Sequence, residues 1–119
     1  MISDTHETLF KYAADAELRV LELHGTKITL SVSLPSRGGE NWLIRSDDVV
    51  HLDLSPFMIL GRIEFGGLAL LPDSYIESRN LDYGGEDEKY RVLRFIDIDD
   101  KEGYLVLYGD EEINQNLRS

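Results

Sequence analysis

The sequence predicts a mainly β fold: a two-layer sandwich or curled antiparallel sheet, with one short N-terminal helix over a face. Three observations predict it. Apolar and small hydroxyl residues alternate strictly over Ile28-Thr29-Leu30-Ser31-Val32-Ser33-Leu34, which sets one face on a core and one on water. Ile and Val together number 15 beside 18 Leu, whereas Ala, the best helix former, occurs only four times. Glycine pairs at 38–39, 66–67 and 84–85 punctuate the chain at the intervals that short strands require. The 119 residues fit one β-rich domain, 1–119, with enough chain to bury a core without metal or disulfide staples.

The elements follow in order. Asp4-x-x-Glu7 has the form of a capping box, and Leu9, Tyr12 and Ala13 fall at helical spacing, so a helix over Thr5–Ala14 is expected. Ala16 to His24 reads as a strand whose parity switches between Val20 and Leu21, through a bulge or burial on both faces. His24-Gly25-Thr26 turns it into strand 28–34 as a tight hairpin. Asn41 to Arg45 is a short strand carrying Trp42 and Ile44. Ser46-Asp47-Asp48 then leads into Val49–Leu54, with Val50, Leu52 and Leu54 expected on one face and His51 and Asp53 on the other. Ser55-Pro56 interrupts before a longer apolar strand, Phe57 to Phe65. Residues 74–89 read as a polar loop with one short strand near Tyr75-Ile76.

Tyr90–Ile98 and Gly103–Tyr108 form the second clear hairpin, with Asp99-Asp100-Lys101-Glu102 at its tip. Val92, Ile96 and Ile98 share one parity and Leu93 and Phe95 the other, so these strands need cover on both sides. A helix or a second subunit would supply it, and homodimerisation is the commonest symmetric solution. Asp110 is placed to cap a final helical turn through Glu111, Glu112 and Ile113.

Several functions are disfavoured. Without cysteine there is no disulfide framework, thiolate metal site or cysteine nucleophile. The polar, acidic start Met1-Ile2-Ser3-Asp4-Thr5-His6-Glu7 is unlike a signal peptide, and apolar runs such as Phe57–Leu60 are too short to span a bilayer, so a cytoplasmic protein without membrane attachment is expected. A net charge of −11 repels phosphate backbones, and the twelve basic residues are scattered, which argues against nucleic acid. No nucleophile elbow, dinucleotide fingerprint, phosphate loop or zinc-binding His-Glu-x-x-His pair is present, and Phe10 stands where the second His of that pair would be. His6, His24 and His51 lack short ligand spacing, and Asp97-x-Asp99 fails as a calcium loop, with Glu102 at its sixth position and Tyr108 at its twelfth. No catalytic residue, metal ligand or cofactor is therefore assigned.

The acidic excess is the remaining signal. Residues 82–119 hold 11 acids and 5 bases, in clusters at Asp82 with Glu86-Asp87-Glu88, at Asp97, Asp99, Asp100 and Glu102, and at Asp110-Glu111-Glu112. Such density serves solubility, or steers a basic protein partner. Asp97, Asp99, Asp100 and Glu102, at the hairpin tip, are the expected partner-binding residues, since their mutual repulsion offers the fold nothing. The alternative is a small-ligand-binding or hydrolytic β-domain, with Trp42, Tyr90, Tyr104 and Tyr108 lining a pocket beside carboxylates. Ala14-Asp15-Ala16-Glu17-Leu18, the hairpin 18–34, Trp42 and Asp48-Val49-Val50 together resemble small bacterial β-proteins found as immunity or uncharacterised accessory proteins. That resemblance, over residues 14–54, implies a non-enzymatic inhibitor that blocks a toxin by direct binding.

Overall fold

The computed structural model describes residues 4–78, 90–109 and 111–115. In chain order they form α1 (Asp4–Tyr12), β1 (Glu17–His24), β2 (Lys27–Leu34), β3 (Glu40–Ser46), β4 (Val49–Asp53), β5 (Phe57–Gly66), α2 (Asp73–Ser78), β6 (Tyr90–Asp97), β7 (Glu102–Tyr108) and β8 (Glu112–Gln115), with 3-10 turns at Pro35–Arg37 and Leu68–Leu70. The strands make one open antiparallel sheet in the order β4-β7-β6-β5-β1-β2-β3-β8.

Local chemistry explains most boundaries. α1 ends before Asp15, whose left-handed φ of 65° is one that Asp tolerates better than most side chains. Asp15 N–H then donates to the Leu60 carbonyl and Leu60 N–H to the Ala16 carbonyl, both 2.8 Å, which anchors the helix-to-strand turn on β5. The parity switch in β1 is a bulge: Val20 opposes Leu30 and Glu22 opposes Thr29, leaving Leu21 unmatched. In β2 the alternation holds, with Ile28, Leu30, Val32 and Leu34 all buried. Gly38 and Gly39 close the β2–β3 connection with φ of 70° and 81°, values closed to most other residues.

The sheet is sharply bent. β3 and β4 are successive halves of one strand path, broken only at Asp47-Asp48, and β7 and β8 are likewise successive. Asp53 opposes Tyr104 in the first pair; counting residue by residue to the other end of the path predicts Arg45 opposite Glu112, the pair observed. A bulge between Val49 and His51 is thus offset at the bend, and it turns Val50 outward to 36% exposure rather than onto the expected core face. At the bend Tyr108 N–H donates to the Asp48 carbonyl and Val49 N–H to the Thr26 carbonyl, each 2.9 Å. At the bend β4 thus runs on from β3 and β8 from β7, and inward side chains from both halves of the sheet share one core. Leu9 of α1, Leu18, Leu30, Ile44, Leu60, Ile63, Phe95, Leu105 and Leu107 are fully buried there.

Two expected elements are corrected. Tyr75-Ile76 lies in α2, not a strand, and the turn expected after Asp110 is strand β8; Asp110 itself lies outside the described residues. The first correction answers how β6 and β7 are covered. Leu93, Phe95, Leu105 and Leu107 face the main core, while Val92, Tyr104 and Val106 pack under Leu68, Leu71, Tyr75 and Ile76. The chain itself covers the face for which a second subunit was invoked. Ile76→Ala should destabilise the protein by about 2–5 kcal/mol, as expected for a buried Ile reduced to a methyl. Chemical denaturation measures this; a loss below about 1 kcal/mol would show that α2 is not a required cover.

Candidate functional site

The β6–β7 hairpin places Asp97, Asp99, Asp100 and Glu102 at one end of the molecule, but in different roles. The Asp97 carboxylate accepts the backbone N–H of Asp99 (2.8 Å) and of Lys101 (2.9 Å) through one oxygen, Oδ1. Asp97 N–H donates to the Lys101 carbonyl (2.9 Å), Asp100 N–H donates to the Asp97 carbonyl (3.0 Å), and Asp100 takes a left-handed φ of 64°. An aspartate carboxylate with two backbone donors is a turn-forming device. Glu102 Oε1 accepts the Tyr104 hydroxyl (2.9 Å) and lies 3.3 Å from Arg94 Nη1. The expectation that these acids offer the fold nothing is therefore corrected for Asp97 and Glu102. Asp99 and Asp100 are exposed and form no ion pair among the described residues.

Exposed apolar side chains lie on the tip and on neighbouring β5. Ile98 is 59% exposed and its N–H donates to the Ile59 carbonyl (3.1 Å), fixing the tip to β5. Phe57, two residues before Ile59, is also exposed, with the Arg19 guanidinium 4.7 Å from its ring centroid. Inward from the tip, Arg94 links Glu102 to Glu64, 2.5 Å away on β5. Tyr104 packs on Tyr75 at 5.0 Å between ring centroids. Burial, and then the bond to Glu102, push the Tyr104 phenol up to about 12.

A second polar cluster was not visible in the sequence. Glu111 is buried, its side chain 1% exposed, and its carboxylate accepts Arg91 Nη2 (2.7 Å) and Nε (3.2 Å) and lies 2.6 Å from His6 Nε2. Burial alone would push this carboxyl up; the hydrogen bonds from Arg91 and His6, with the Arg91 charge, outweigh it and hold the carboxyl below its ordinary value. The one signal available was parity: Glu111 precedes buried Ile113 by two residues and so points to the same side. This cluster ties α1, β6 and the start of β8 together. His24 and His51 are elsewhere, and among the described residues no three His, Asp or Glu side chains converge as a metal site.

The four aromatic residues of the alternative pocket do not meet. Trp42 lies in the main core and donates to Glu40 Oε1 (3.0 Å), Tyr104 belongs to the cluster under α2, and Tyr90 and Tyr108 form an edge-to-face pair at 5.2 Å. Depressions among the described residues are lined by other residues: a polar one of about 470 Å³ at the bend with Arg45, Asp48, Glu111 and Glu112, one of about 560 Å³ with Glu7, Phe10, Lys11, Tyr12 and Arg37, and a more apolar one of about 370 Å³ with His6, Phe10, Glu64, Phe65 and Leu70. Among the described residues no helix is long and apolar enough to cross a membrane. No protein-family model matches the chain, and neither a curated protein nor a solved structure was found to match it.

Two measurements check this geometry. Because the folded Glu111 carboxyl titrates below its unfolded value near 4.5, its contribution is present above that value and is lost as pH falls through the folded one. Glu111→Gln should cost about 2–3 kcal/mol at neutral pH, as for a hydrogen bond to a charged group. It should also flatten the loss of stability below pH 4.5; an unchanged acid slope would show that the carboxylate is not held by Arg91 and His6. In an alkaline absorbance titration, one of the six tyrosines should ionise only near pH 12, and Tyr104→Phe should remove that late phase.

Proposed function

We propose that the protein is a non-catalytic binding protein that docks a basic partner protein through the tip of the β6–β7 hairpin. The observation that carries this reading is the division of labour at the tip. Asp97 spends its carboxylate on the turn amides, so Asp99 and Asp100 stand exposed on a braced loop. A fixed turn holds their charges close together at little entropic cost on binding. Exposed Ile98, next to Asp99, supplies the apolar contact that charge alone lacks. The net charge of −11 supports steering of a cationic partner over long range. The likeness of residues 14–54 to immunity-type proteins supports an inhibitor that acts by direct binding. Its Asp15-Ala16 step is the turn that seats β1 against β5.

The test is co-purification of a basic protein with the chain, followed by association kinetics against it; recovery of no basic protein would count against the reading. Asp99→Asn with Asp100→Asn should leave stability within about 0.5 kcal/mol, since both positions are exposed and Asn tolerates the left-handed conformation at 100. The double variant should associate several-fold more slowly at low salt. The difference should vanish near 1 M salt, where the Debye length is about 3 Å. Equal rates for both proteins across that range would assign the acids to solubility alone.

A further inference from the structure

α1 leaves one aromatic side chain outside the core it helps to close. Leu9 and Ala13 are buried in the main cluster, whereas Phe10 is 59% exposed. Phe10 is one helical turn from His6, so the two share a face. With Glu7 they supply the α1 side of the depression of about 370 Å³; Glu64 and Phe65 of β5 and Leu70 of the 3-10 turn supply the rest. The His6 ring meets Phe65 edge-to-face at 4.9 Å between centroids, and its Nε2 is directed to Glu111. Both contacts hold that side of the depression in place. Its volume and its mix of apolar rings with a few polar groups are those of a small-molecule site.

The charge at this depression is negative and not fully used. Glu64 has its Oε1 buried against Arg94 Nη2, 2.5 Å away. Its Oε2 has Arg62 Nε at 3.6 Å, too long for a hydrogen bond, and so can accept another donor. Glu7 is exposed and forms no ion pair among the described residues. Lys11, one turn further along α1, instead places its Nζ 5.5 Å from the Tyr12 ring centroid. Arg94 is already shared between Glu64 and Glu102, so no uncommitted cation offsets the two carboxylates. We propose that this depression binds a small arylalkyl amine, its ring against Phe10, Phe65 and Leu70 and its ammonium between Glu7 and Glu64 Oε2. An ammonium has three donors to divide between two carboxylates, and the aromatic rings add cation–π attraction. A carboxylate of the same shape would meet like charge at close range. The site uses none of the acids of the hairpin tip and stands independently of the basic-partner reading.

The probe is 2-phenylethylamine, titrated into the full-length protein, with 3-phenylpropionate as the control of opposite charge. Binding is read by NMR from the backbone amide shifts of His6, Glu7, Phe10, Glu64, Phe65 and Leu70. The amine should shift these amides saturably and bind at least tenfold more tightly than the control. Glu7→Gln and Phe10→Ala should each weaken it several-fold. Both positions are exposed, and Gln preserves the capping form of Glu7, so the fold should be kept. Unchanged amide shifts in β2 and β7 confirm that it is. Equal binding of amine and carboxylate removes the role given to Glu7 and Glu64 and overturns the proposal. No saturable shift at millimolar amine overturns it, as do shifts that track the exposed acids at large rather than these six residues. Equal affinity for Nα-acetyl-lysine N-methylamide, which has the ammonium but no ring, also overturns it and assigns the depression to a lysine side chain of another protein.

Discussion

The pairing of residues 40–53 with 102–115 across a shared bend is the constraint on which the rest of the structure depends. The ladder runs through β3 against β8 and β4 against β7, and the Tyr108-to-Asp48 bond holds it where both strands turn. Without this pairing, β3 with β8 and β4 with β7 would not share one continuous ladder. With it, inward side chains from both halves meet in one cluster, and α1 packs against both β5 and β8. The bend also carries Glu111 inward, where a carboxylate is costly unless it is paired. Arg91 from β6 and His6 from α1 arrive from separate elements to meet it. One backbone event thus creates a buried charge and brings in the elements that neutralise it.

The hairpin tip shows a different use of the same residue types. Asp97 and Glu102 are absorbed by the fold, one by turn amides and the other by Tyr104 and Arg94. Asp99 and Asp100 are left to water. Side chains alike in sequence therefore differ in what their removal would do: the first pair shapes the loop, and the second sets only its field. An acidic cluster is informative about binding only after its structural members have been subtracted.

Elements with strong local chemistry were legible in the sequence. The alternation of β2, the parity break at Val20–Leu21, the hairpins at 24–27 and 97–102 and the short helix before Asp15 all follow from neighbouring residues. What escaped detection depended on distant ones. Tyr75-Ile76 has β-type side chains, yet it forms a helix because the outer face of β6 and β7 needs a cover and Pro72-Asp73 can start one. Glu111-Glu112-Ile113 has helix-start composition, but β3 offers a free ladder, and tertiary pairing prevails over local preference. Val50 was assigned to the wrong face because alternation does not reveal a bulge. At the tip Asp99 and Asp100 are exposed, as a hairpin tip implies, whereas Asp97 is only partly so, and its hydrogen bonds to the turn amides were not legible. No sequence spacing joins His6 and Arg91 to Glu111.

The bent ladder also has a consequence for how the protein comes to be made. Its closing pairs join positions more than fifty residues apart, and loop closure over such distances is slow. During synthesis β1 and β2 can pair as soon as they emerge, and β3 can join them. The inward faces of these strands then stay uncovered until β5, β6 and β7 have been translated. At ordinary elongation rates of about 5–20 residues per second, several seconds separate the first hairpin from the last ladder. In that interval the nascent chain is a half-sheet with an apolar face and open edges, the state in which a chaperone, or a neighbouring nascent chain, has its best opportunity to bind.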